Sequence, residues 1–241
     1  MTEEKKNLTI SGSGSAPGGC YEDVKINGSG KIQGDIICKS IDINGSGRLS
    51  GDAKASSIVI SGSGVIERNA IAESLMVNGS CRIDGNVSGE RIQVNGRGKF
   101  NRDVHGEQVR VSGILTVGGE LEAEDVVAEG PLTVGGLCSA EHIEITLSGI
   151  TSRIKEIGCG TLSVRRRFPS NFIGQIFTGF TRKKLIVESI EGDEIFLEDT
   201  EAKVVRGNRV TIGAGCSIGK VTYKTDYKKD EKAIVQSVIK E

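Results

Sequence analysis

The pentapeptide Ile26-Asn-Gly-Ser-Gly30 is repeated as Ile43-Asn-Gly-Ser-Gly47 and Ile60-Ser-Gly-Ser-Gly64, with a step of 17 residues each time. Looser copies continue at the same step, at Val77-Asn-Gly79, Val94-Asn-Gly96, Val111-Ser-Gly113 and Ala128-Glu-Gly130. A fixed period of this length is typical of repeat proteins, in which each unit contacts only its neighbours.

Four aliphatic columns and one column of small residues follow the same step. In order, they are Val24, Ile41, Ile58, Leu75, Ile92, Val109, Val126 and Ile143; Ile26, Ile43, Ile60, Val77, Val94, Val111, Ala128 and Ile145; Ile32, Leu49, Ile66, Ile83, Phe100, Val117 and Val134; Ile36, Ala53, Ala70, Val87, Val104, Leu121 and Cys138; and Cys38, Ala55, Ala72, Gly89, Gly106, Ala123 and Ala140.

The first two columns lie two positions apart, which places both side chains on one face of a strand. The Asn-Gly and Ser-Gly pairs between columns are turn residues. Each repeat therefore predicts about three short strands, which form one coil of a solenoid with like side chains stacked about 4.8 Å apart. Helical repeats are longer and need a period of 3.6 residues, which this chain lacks. We predict an all-β, single-stranded β-helix with coils of about 17 residues.

The composition fits a thin aliphatic core with tight corners. The chain has 34 Gly, 3 Pro and no Trp, and 31 basic residues balance 32 acidic ones, so no overall field attracts nucleic acid. Six cysteines without paired spacing predict reduced, buried thiols. The charged first residues do not resemble a secretory signal, and no apolar run is long enough to span a membrane. These features predict a cytoplasmic protein.

The repeat divides the chain into five parts. They are a short N-terminal tail (1–7), the β-helix (8–164), a basic Phe-rich insertion (165–184), further β coils or a cap (185–225), and a charged C-terminal tail (226–241). The apolar residues of the tail are spaced so that they could form one face of a short helix; they are Ala233, Ile234, Val235, Val238 and Ile239.

Three departures from the regular step are visible. Leu8 and Ile10 precede Val24 and Ile26 by one residue less than the repeat. The first two columns resume at Leu162 and Val164 after a step of 19, and later at a step of 15 from Ile195 and Leu197 to Val210 and Ile212.

Candidates for catalysis are few. His105 and His142 lie in different columns and have no neighbouring Cys, Asp or Ser that would complete a triad or a metal site. Residues 212–223 resemble two hexapeptide repeats of β-helix acyltransferases, which leaves an enzyme of that type as the alternative function. We expect no enzymatic activity, cofactor, nucleotide or metal. A column of acids forms either a solvated face or a binding ridge; it comprises Glu73, Glu90, Glu107, Glu124 and Glu141.

The insertion concentrates aromatic and basic residues. Its apolar residues fall on one helical stripe between basic clusters, as in helices that bind membrane surfaces, although a cap over the solenoid is the other interpretation. The candidate residues for a membrane or partner contact are Arg165, Arg166, Arg167, Phe168, Phe172, Ile176, Phe177, Phe180, Arg182, Lys183 and Lys184.

The first coil is the candidate polymerisation interface. It begins directly after seven polar or charged residues, too few for a capping helix, and no Pro is expected to interrupt its strands. The end of a β-solenoid exposes unpaired backbone groups, which can pair with another subunit. The predicted contact residues are Leu8 and Ile10, backed by Val24 and Ile26.

These columns, the Asn-Gly-Ser-Gly corners and the Gly-Asp turns resemble the bactofilins, bacterial polymer-forming cytoskeletal proteins. The resemblance covers residues 8–164 and extends to Val210–Tyr223. It implies a right-handed, triangular β-helix that forms a homopolymer without nucleotide. It further implies filaments on the inner face of the cell membrane that scaffold cell-wall, cell-shape or motility machinery and contact cell-envelope proteins.

Overall fold

A computed structural model describes residues 6–167 and 183–241 of the chain. Throughout these residues the regular structure is β-strand, arranged as a parallel β-solenoid of about 13 turns in total. The chain divides into two compact units, residues 1–123 and 124–241, which we call unit 1 and unit 2. The predicted all-β solenoid is confirmed, whereas its handedness and triangular section stay predictions.

Short strands separated by tight corners build unit 1. They are β1 (Leu8–Ile10), β2 (Ser13–Cys20), β3 (Asp23–Ile26), β4 (Ser29–Ile43), β5 (Ser46–Leu49), β6 (Ala53–Ile60), β7 (Ser63–Ile66), β8 (Ala70–Val77), β9 (Ser80–Ile83), β10 (Val87–Val94), β11 (Arg97–Phe100), β12 (Val104–Val111), β13 (Ile114–Val117) and β14 (Leu121–Glu122).

Longer strands build most of unit 2. They are β15 (Asp125–Ala128), β16 (Leu132–Leu147), β17 (Ser152–Arg166), β18 (Leu185–Leu197), β19 (Thr200–Ile212), β20 (Ser217–Lys229) and β21 (Ile234–Lys240).

The parallel register follows the predicted steps. Ile41 pairs with Ile58 and Ile43 with Ile60, at the 17-residue repeat. The short first step is also present, because Leu8 pairs with Val24. In unit 2, Ile143 pairs with Leu162 at a step of 19. The 15-residue step after β18 is likewise confirmed, and it holds along the whole of β19.

The four aliphatic columns face inward, as predicted. Every member of the first two columns is at most 2% exposed, and the same is true of the third and fourth columns. The small residues of the fifth column are buried or half-buried, for example Ala72 at 5%. Strand periodicity thus places the aliphatic side chains of each coil on those of the coil before it, and their burial is the main stabilising term.

A sixth inward column was not predicted. It is buried throughout and changes in size along the chain: Gly30, Gly47, Gly64, Cys81, Gly98, Leu115 and Leu132. A methyl group added at Gly47 would lie 2.9 Å from two side-chain carbons of Ile43, the second-column residue of the same coil. Where the second column shrinks from Ile to Val111 and Ala128, the sixth column grows to Leu. Leu in the sixth column thus occurs only beside a second-column residue smaller than Ile, so that the two side chains do not overlap.

A polar ladder follows one corner of unit 1. The side-chain oxygens of Asp35, Asp52, Asn69 and Asp103 accept hydrogen bonds from the backbone N–H one coil further on, at 2.8–3.0 Å. Each coil therefore satisfies a corner N–H of the next, which fixes the position of the corner as well as that of the strands.

The C-terminal segment differs from one prediction. The short helix through Ala233–Ile239 is wrong, because Ile234–Lys240 is strand β21, paired in parallel with β20 at the 17-residue step. Backbone pairing with the preceding coil satisfies the N–H and C=O groups along one edge of this segment, whereas a helix would satisfy its backbone groups within itself. The solenoid register thus outweighs the helical spacing of its apolar residues.

Candidate functional site

The first coil presents an open edge at β1. Residues Leu8–Ile10 pair with β3 on one side, and no strand among the described residues pairs with the other side. Leu8 and Ile10 are half-buried, whereas Val24 and Ile26 are fully buried beneath them. Any contact at this end therefore meets Leu8 and Ile10 directly, and Val24 and Ile26 only support them.

Pro17 corrects the prediction that no Pro interrupts the first coil. It lies within β2, and the pairing of β2 with β4 shifts register between Pro17 and Gly19. Pro has no N–H to donate, and both Pro and β-bulges are features that discourage pairing at a sheet edge. Tyr21 closes this corner by donating its hydroxyl to the carbonyl of Pro17 at 2.9 Å. Strand β1 is therefore the strand of the first coil whose open edge carries neither Pro nor a bulge.

The C-terminal strand has an edge with which no strand of the described residues pairs. Strand β21 pairs with β20, and its side chains are largely exposed, with Ile234 at 65%, Val238 at 43% and Ile239 at 42%. Val238 continues the column of Val205 and Val221, both fully buried. This edge offers apolar surface that sequence reasoning assigned to a tail.

The Phe-rich insertion is described only at its two ends. Of the candidate contact residues, Phe168, Phe172, Ile176, Phe177, Phe180 and Arg182 lie outside the described residues. Arg167 and Lys183 are exposed. Lys184 pairs with Glu201 at 3.4 Å, and the guanidinium of Arg165 lies 4.7 Å from the ring centre of Phe196.

Arg166 makes the most buried ion pair of the described residues. Its Nε and Nη2 donate to the two carboxylate oxygens of Asp199 at 2.5 and 2.7 Å. The Asp199 side chain is only 4% exposed, and its backbone has a φ of 44°, which is uncommon outside Gly and Asn. The hydrogen bond from Arg166 to Asp199 raises the pKa of the guanidinium. Arg166 thus contributes to the fold at the point where the insertion leaves β17.

The cysteines form no disulfide within the described residues. Cys38, Cys81, Cys138 and Cys216 are buried and Cys159 is half-buried, whereas Cys20 is exposed, so the prediction of buried thiols is wrong for Cys20. Burial raises the pKa of Cys81 and of Cys138 to about 12. Thiols of this kind stay protonated at neutral pH and behave as small apolar side chains.

Both histidines pair with an acid of the neighbouring coil. The distance from Nδ1 of His105 to Glu122 is 3.2 Å, and that from His142 to Asp125 is 3.4 Å, with all four side chains well exposed. In the described parts of the chain, no group of three or more His, Cys, Asp or Glu side chains is arranged to hold a metal ion. Neither of the described ranges contains a helix long and apolar enough to cross a membrane.

Comparisons with known proteins relate part of the chain to a described family. The model of the bactofilin family, described as polymer-forming and cytoskeletal, matches residues 2–88. The chain is 48% identical over 84 residues to the uncharacterized protein YhbF of Bacillus subtilis (strain 168), covering 34% of this chain and 32% of that protein.

A second relative from the same organism, the uncharacterized protein YhbE, is 39% identical over 100 residues, which covers 42% of this chain and 41% of that protein. The chain thus spans less than half the length of either relative, and no solved structure matches it. Residues 2–88, which match the family model, contain β1, the open first coil and the first coils of the 17-residue repeat. Residues 2–88 of this chain thus match the model of the bactofilin family, which is described as polymer-forming and cytoskeletal.

Proposed function

We propose that this protein is a non-enzymatic scaffold that polymerises through the open edge of its first coil. The observation that carries the proposal is the unpaired edge of β1, with the half-buried Leu8 and Ile10 above a fully buried layer. Strand addition at such an edge satisfies backbone groups and covers apolar side chains in one step. The family of residues 2–88, described as polymer-forming, supports the same reading.

The filaments need no nucleotide in this proposal, because pairing of β-edges supplies the contact. They act in the cytoplasm, at the inner face of the cell membrane, where they localise cell-envelope, cell-shape or motility machinery. Support for this location is the basic, Phe-rich sequence of residues 165–184, which suits an interfacial anchor.

The polymerisation proposal is tested at Ile10. We expect Ile10→Asp to stay folded and to run as monomers or small oligomers, because an unpaired charge would be buried in the junction. The purified full chain is compared with and without the change by sedimentation and electron microscopy, in the absence of nucleotide. Lys25→Asp, an exposed position one coil inward, is the matched control and should leave filaments intact.

Full-length filaments from folded Ile10→Asp protein would contradict the proposal and move the contact to β21. A discrete trimer of the unchanged chain that binds an acyl donor would instead favour the hexapeptide acyltransferase alternative.

The membrane contact is tested at two phenylalanines. We expect Phe172→Ser with Phe177→Ser to move the protein from anionic phospholipid vesicles to the soluble fraction in a flotation assay, since apolar side chains drive interfacial binding. Replacement of residues 168–182 by a Gly-Ser linker should have the same effect while keeping Arg166 and Lys184, which pair with Asp199 and Glu201. Unchanged flotation, or loss of the fold on removing the segment, would favour the cap interpretation.

A further inference from the structure

Asn-Gly pairs form four of the corners of unit 1. They are Asn27-Gly28, Asn44-Gly45, Asn78-Gly79 and Asn95-Gly96, and two other coils have Ser61-Gly62 and Ser112-Gly113 at the same position. Gly is required there because the corners of successive coils touch: a methyl group added at Gly45 would overlap the carbonyl oxygen of Gly28. All four Asn residues are exposed. The fold therefore places an exposed Asn directly before an unhindered Gly.

An exposed Asn before Gly is prone to spontaneous loss of its side-chain amide, since Gly has no side chain to hinder the attack. The backbone nitrogen of Gly attacks Cγ of Asn, the bond from Cγ to Nδ2 breaks, and ammonia leaves with the proton of the Gly N–H. Water then opens the resulting cyclic imide at one of its two carbonyls. The product is aspartate, or isoaspartate, in which the main chain runs through Cγ and is one carbon longer.

At the inner corners the attacking N–H is held by the coil before. Gly79 donates to the carbonyl oxygen of Ile60 at 3.0 Å. Gly96 donates to that of Val77 at 3.0 Å. Ile60 and Val77 are fully buried, and the strands that carry them pair with a coil on each side. Because the nitrogen must leave its hydrogen bond before it attacks Cγ, reaction at these corners requires the opening of a coil that is held on both sides.

The corner at Asn27 is held by the open edge strand instead. Gly28 donates to the carbonyl oxygen of Ile10 at 3.3 Å, the longest of the four equivalent bonds. Ile10 is half-buried and belongs to β1, which has three residues and is paired along one edge only within the described residues. Short, half-buried edge segments open at a lower free energy than inner strands do. The Gly28 nitrogen is therefore released more often than that of an inner corner.

Asn78 is a matched comparison for Asn27 within the same chain. The side-chain oxygen of Asn27 accepts a hydrogen bond from Nδ2 of Asn44 at 3.0 Å. That of Asn78 accepts one from Nδ2 of Asn95 at 2.8 Å. A donor on this oxygen draws electron density from the Cγ that is attacked, and it does so at both sites. The same tripeptide, Asn-Gly-Ser, is present at both, so the two sites differ chiefly in the coil that holds the Gly N–H.

We propose that Asn27 is a site of spontaneous amide hydrolysis, reached when β1 opens, and that this modification removes unassembled subunits from polymerisation. Isoaspartate at position 27 lengthens the main chain just before Gly28 and Ser29. These residues donate to the carbonyl oxygens of Ile10 and Gly12 at 3.3 and 2.9 Å. Insertion of a carbon disrupts the geometry of those bonds, so β1 loses part of its support. The second half of the inference rests on the proposed function, because pairing of β1 with another subunit would hold Ile10 in place and protect Asn27.

Ageing of the purified full chain in mildly alkaline buffer tests the site. Trypsin places each Asn-Gly pair in its own peptide, namely 26–31, 40–48, 69–82 and 92–97. We expect the folded, unassembled chain to lose the amide of Asn27 at least about tenfold faster than those of Asn78 and Asn95, because local opening free energies differ along the structure. In urea all four should react at similar rates. Mass spectrometry measures the loss, and labelling by a protein isoaspartyl methyltransferase identifies isoaspartate.

Equal rates at Asn27, Asn78 and Asn95 in the folded chain would overturn the inference, whether or not the protein polymerises. Ile10→Ala connects the reaction to β1, because it keeps the carbonyl acceptor and removes side-chain contacts of the strand. We expect amide loss at Asn27 to become several-fold faster in this variant while that at Asn78 is unchanged. Thr9→Ala, at the exposed neighbouring position, is the matched control and should leave both rates nearly unchanged. No acceleration at Asn27 in Ile10→Ala would also overturn the inference.

Asn27→Ser separates the modification from the polymer contact, because the chain itself has Ser at the equivalent position 61. Both chains should sediment alike when fresh. After ageing, we expect the unchanged chain to lose most of its sedimenting fraction, with isoaspartate at position 27 concentrated in the supernatant, whereas Asn27→Ser should still sediment. Equal loss of sedimentation by the two chains would overturn the effect on assembly. A fast reaction at Asn27 that is as extensive in the sediment as in the supernatant would instead contradict the polymer contact at β1 and leave the modification site standing.

Discussion

Ile60→Asp is expected to unfold the coils around it. Ile60 is fully buried, with 0% of its surface exposed to solvent. The second column places Ile43 and Val77 directly against it. The change removes a buried aliphatic side chain and leaves a carboxylate with no partner, so we expect a cost above about 5 kcal/mol. Ile83, equally buried in the third column, should behave in the same way when replaced by Asp.

Thermal melting followed by circular dichroism, together with limited proteolysis, measures this effect. Ser61→Asp is the matched control, since Ser61 follows Ile60 directly and is exposed. The free energy of unfolding of the control should lie within about 0.5 kcal/mol of that of the unchanged protein, as is usual for surface changes. An Ile60→Asp protein that melts with the control would show that the second column does not face the core in solution.

Arg166→Met is expected to destabilise the coils formed by β17–β19. Asp199 would keep its buried carboxylate without the two hydrogen bonds that Arg166 donates. Breaking one side of a buried pair costs about 3–5 kcal/mol, and we expect about 2–4 kcal/mol here because the Arg166 side chain is 45% exposed. Urea unfolding measures the loss, and hydrogen exchange locates it.

Two further variants separate the ion pair from general effects of the change. Arg165→Met removes the neighbouring cation and its contact with Phe196, and should cost only about 0.5–1 kcal/mol. Adding Asp199→Asn to Arg166→Met removes the buried charge and should recover most of the lost stability, because Asn also tolerates a positive φ. Equal losses in the single and double variants would mean that charge burial is not the cause.

The sequence predicts the solenoid well because its signal is repeated. Each inward column is sampled once per coil, so that one exception, such as Phe100 among smaller residues, does not hide the pattern. The irregular steps before Val24 and after Ile195 could be predicted for the same reason, since two columns move together there. Strand spacing and the step between neighbouring coils can both be identified from adjacent repeats, and both are present in the structure.

The sixth column was missed although it repeats, because its Gly residues belong to the motif that predicts turns. The other features that sequence reasoning missed depend on single residues or on distant partners. Pro17 and the bulge beside it occur in one coil and have no column to reveal them. Arg166 and Asp199 are 33 residues apart across the insertion, and nothing in the repeat relates their positions. Strand β21 carries apolar residues at helical spacing, and only its pairing with β20 decides between helix and strand.

The relation between the second and sixth columns limits how far one coil can substitute for another. A coil containing Ile43 and Gly47 has its larger side chain in the second column, whereas one containing Val111 and Leu115 has its larger side chain in the sixth. Exchanging only the strand that carries one of these residues would bring Ile beside Leu, and the two side chains would overlap. A coil with Leu in the sixth column therefore keeps the fold only when its smaller second-column residue moves with it. Coils that look interchangeable by their shared motif are thus not all equivalent, and the constraint acts in one direction only, because Val94 beside Gly98 is present in the chain.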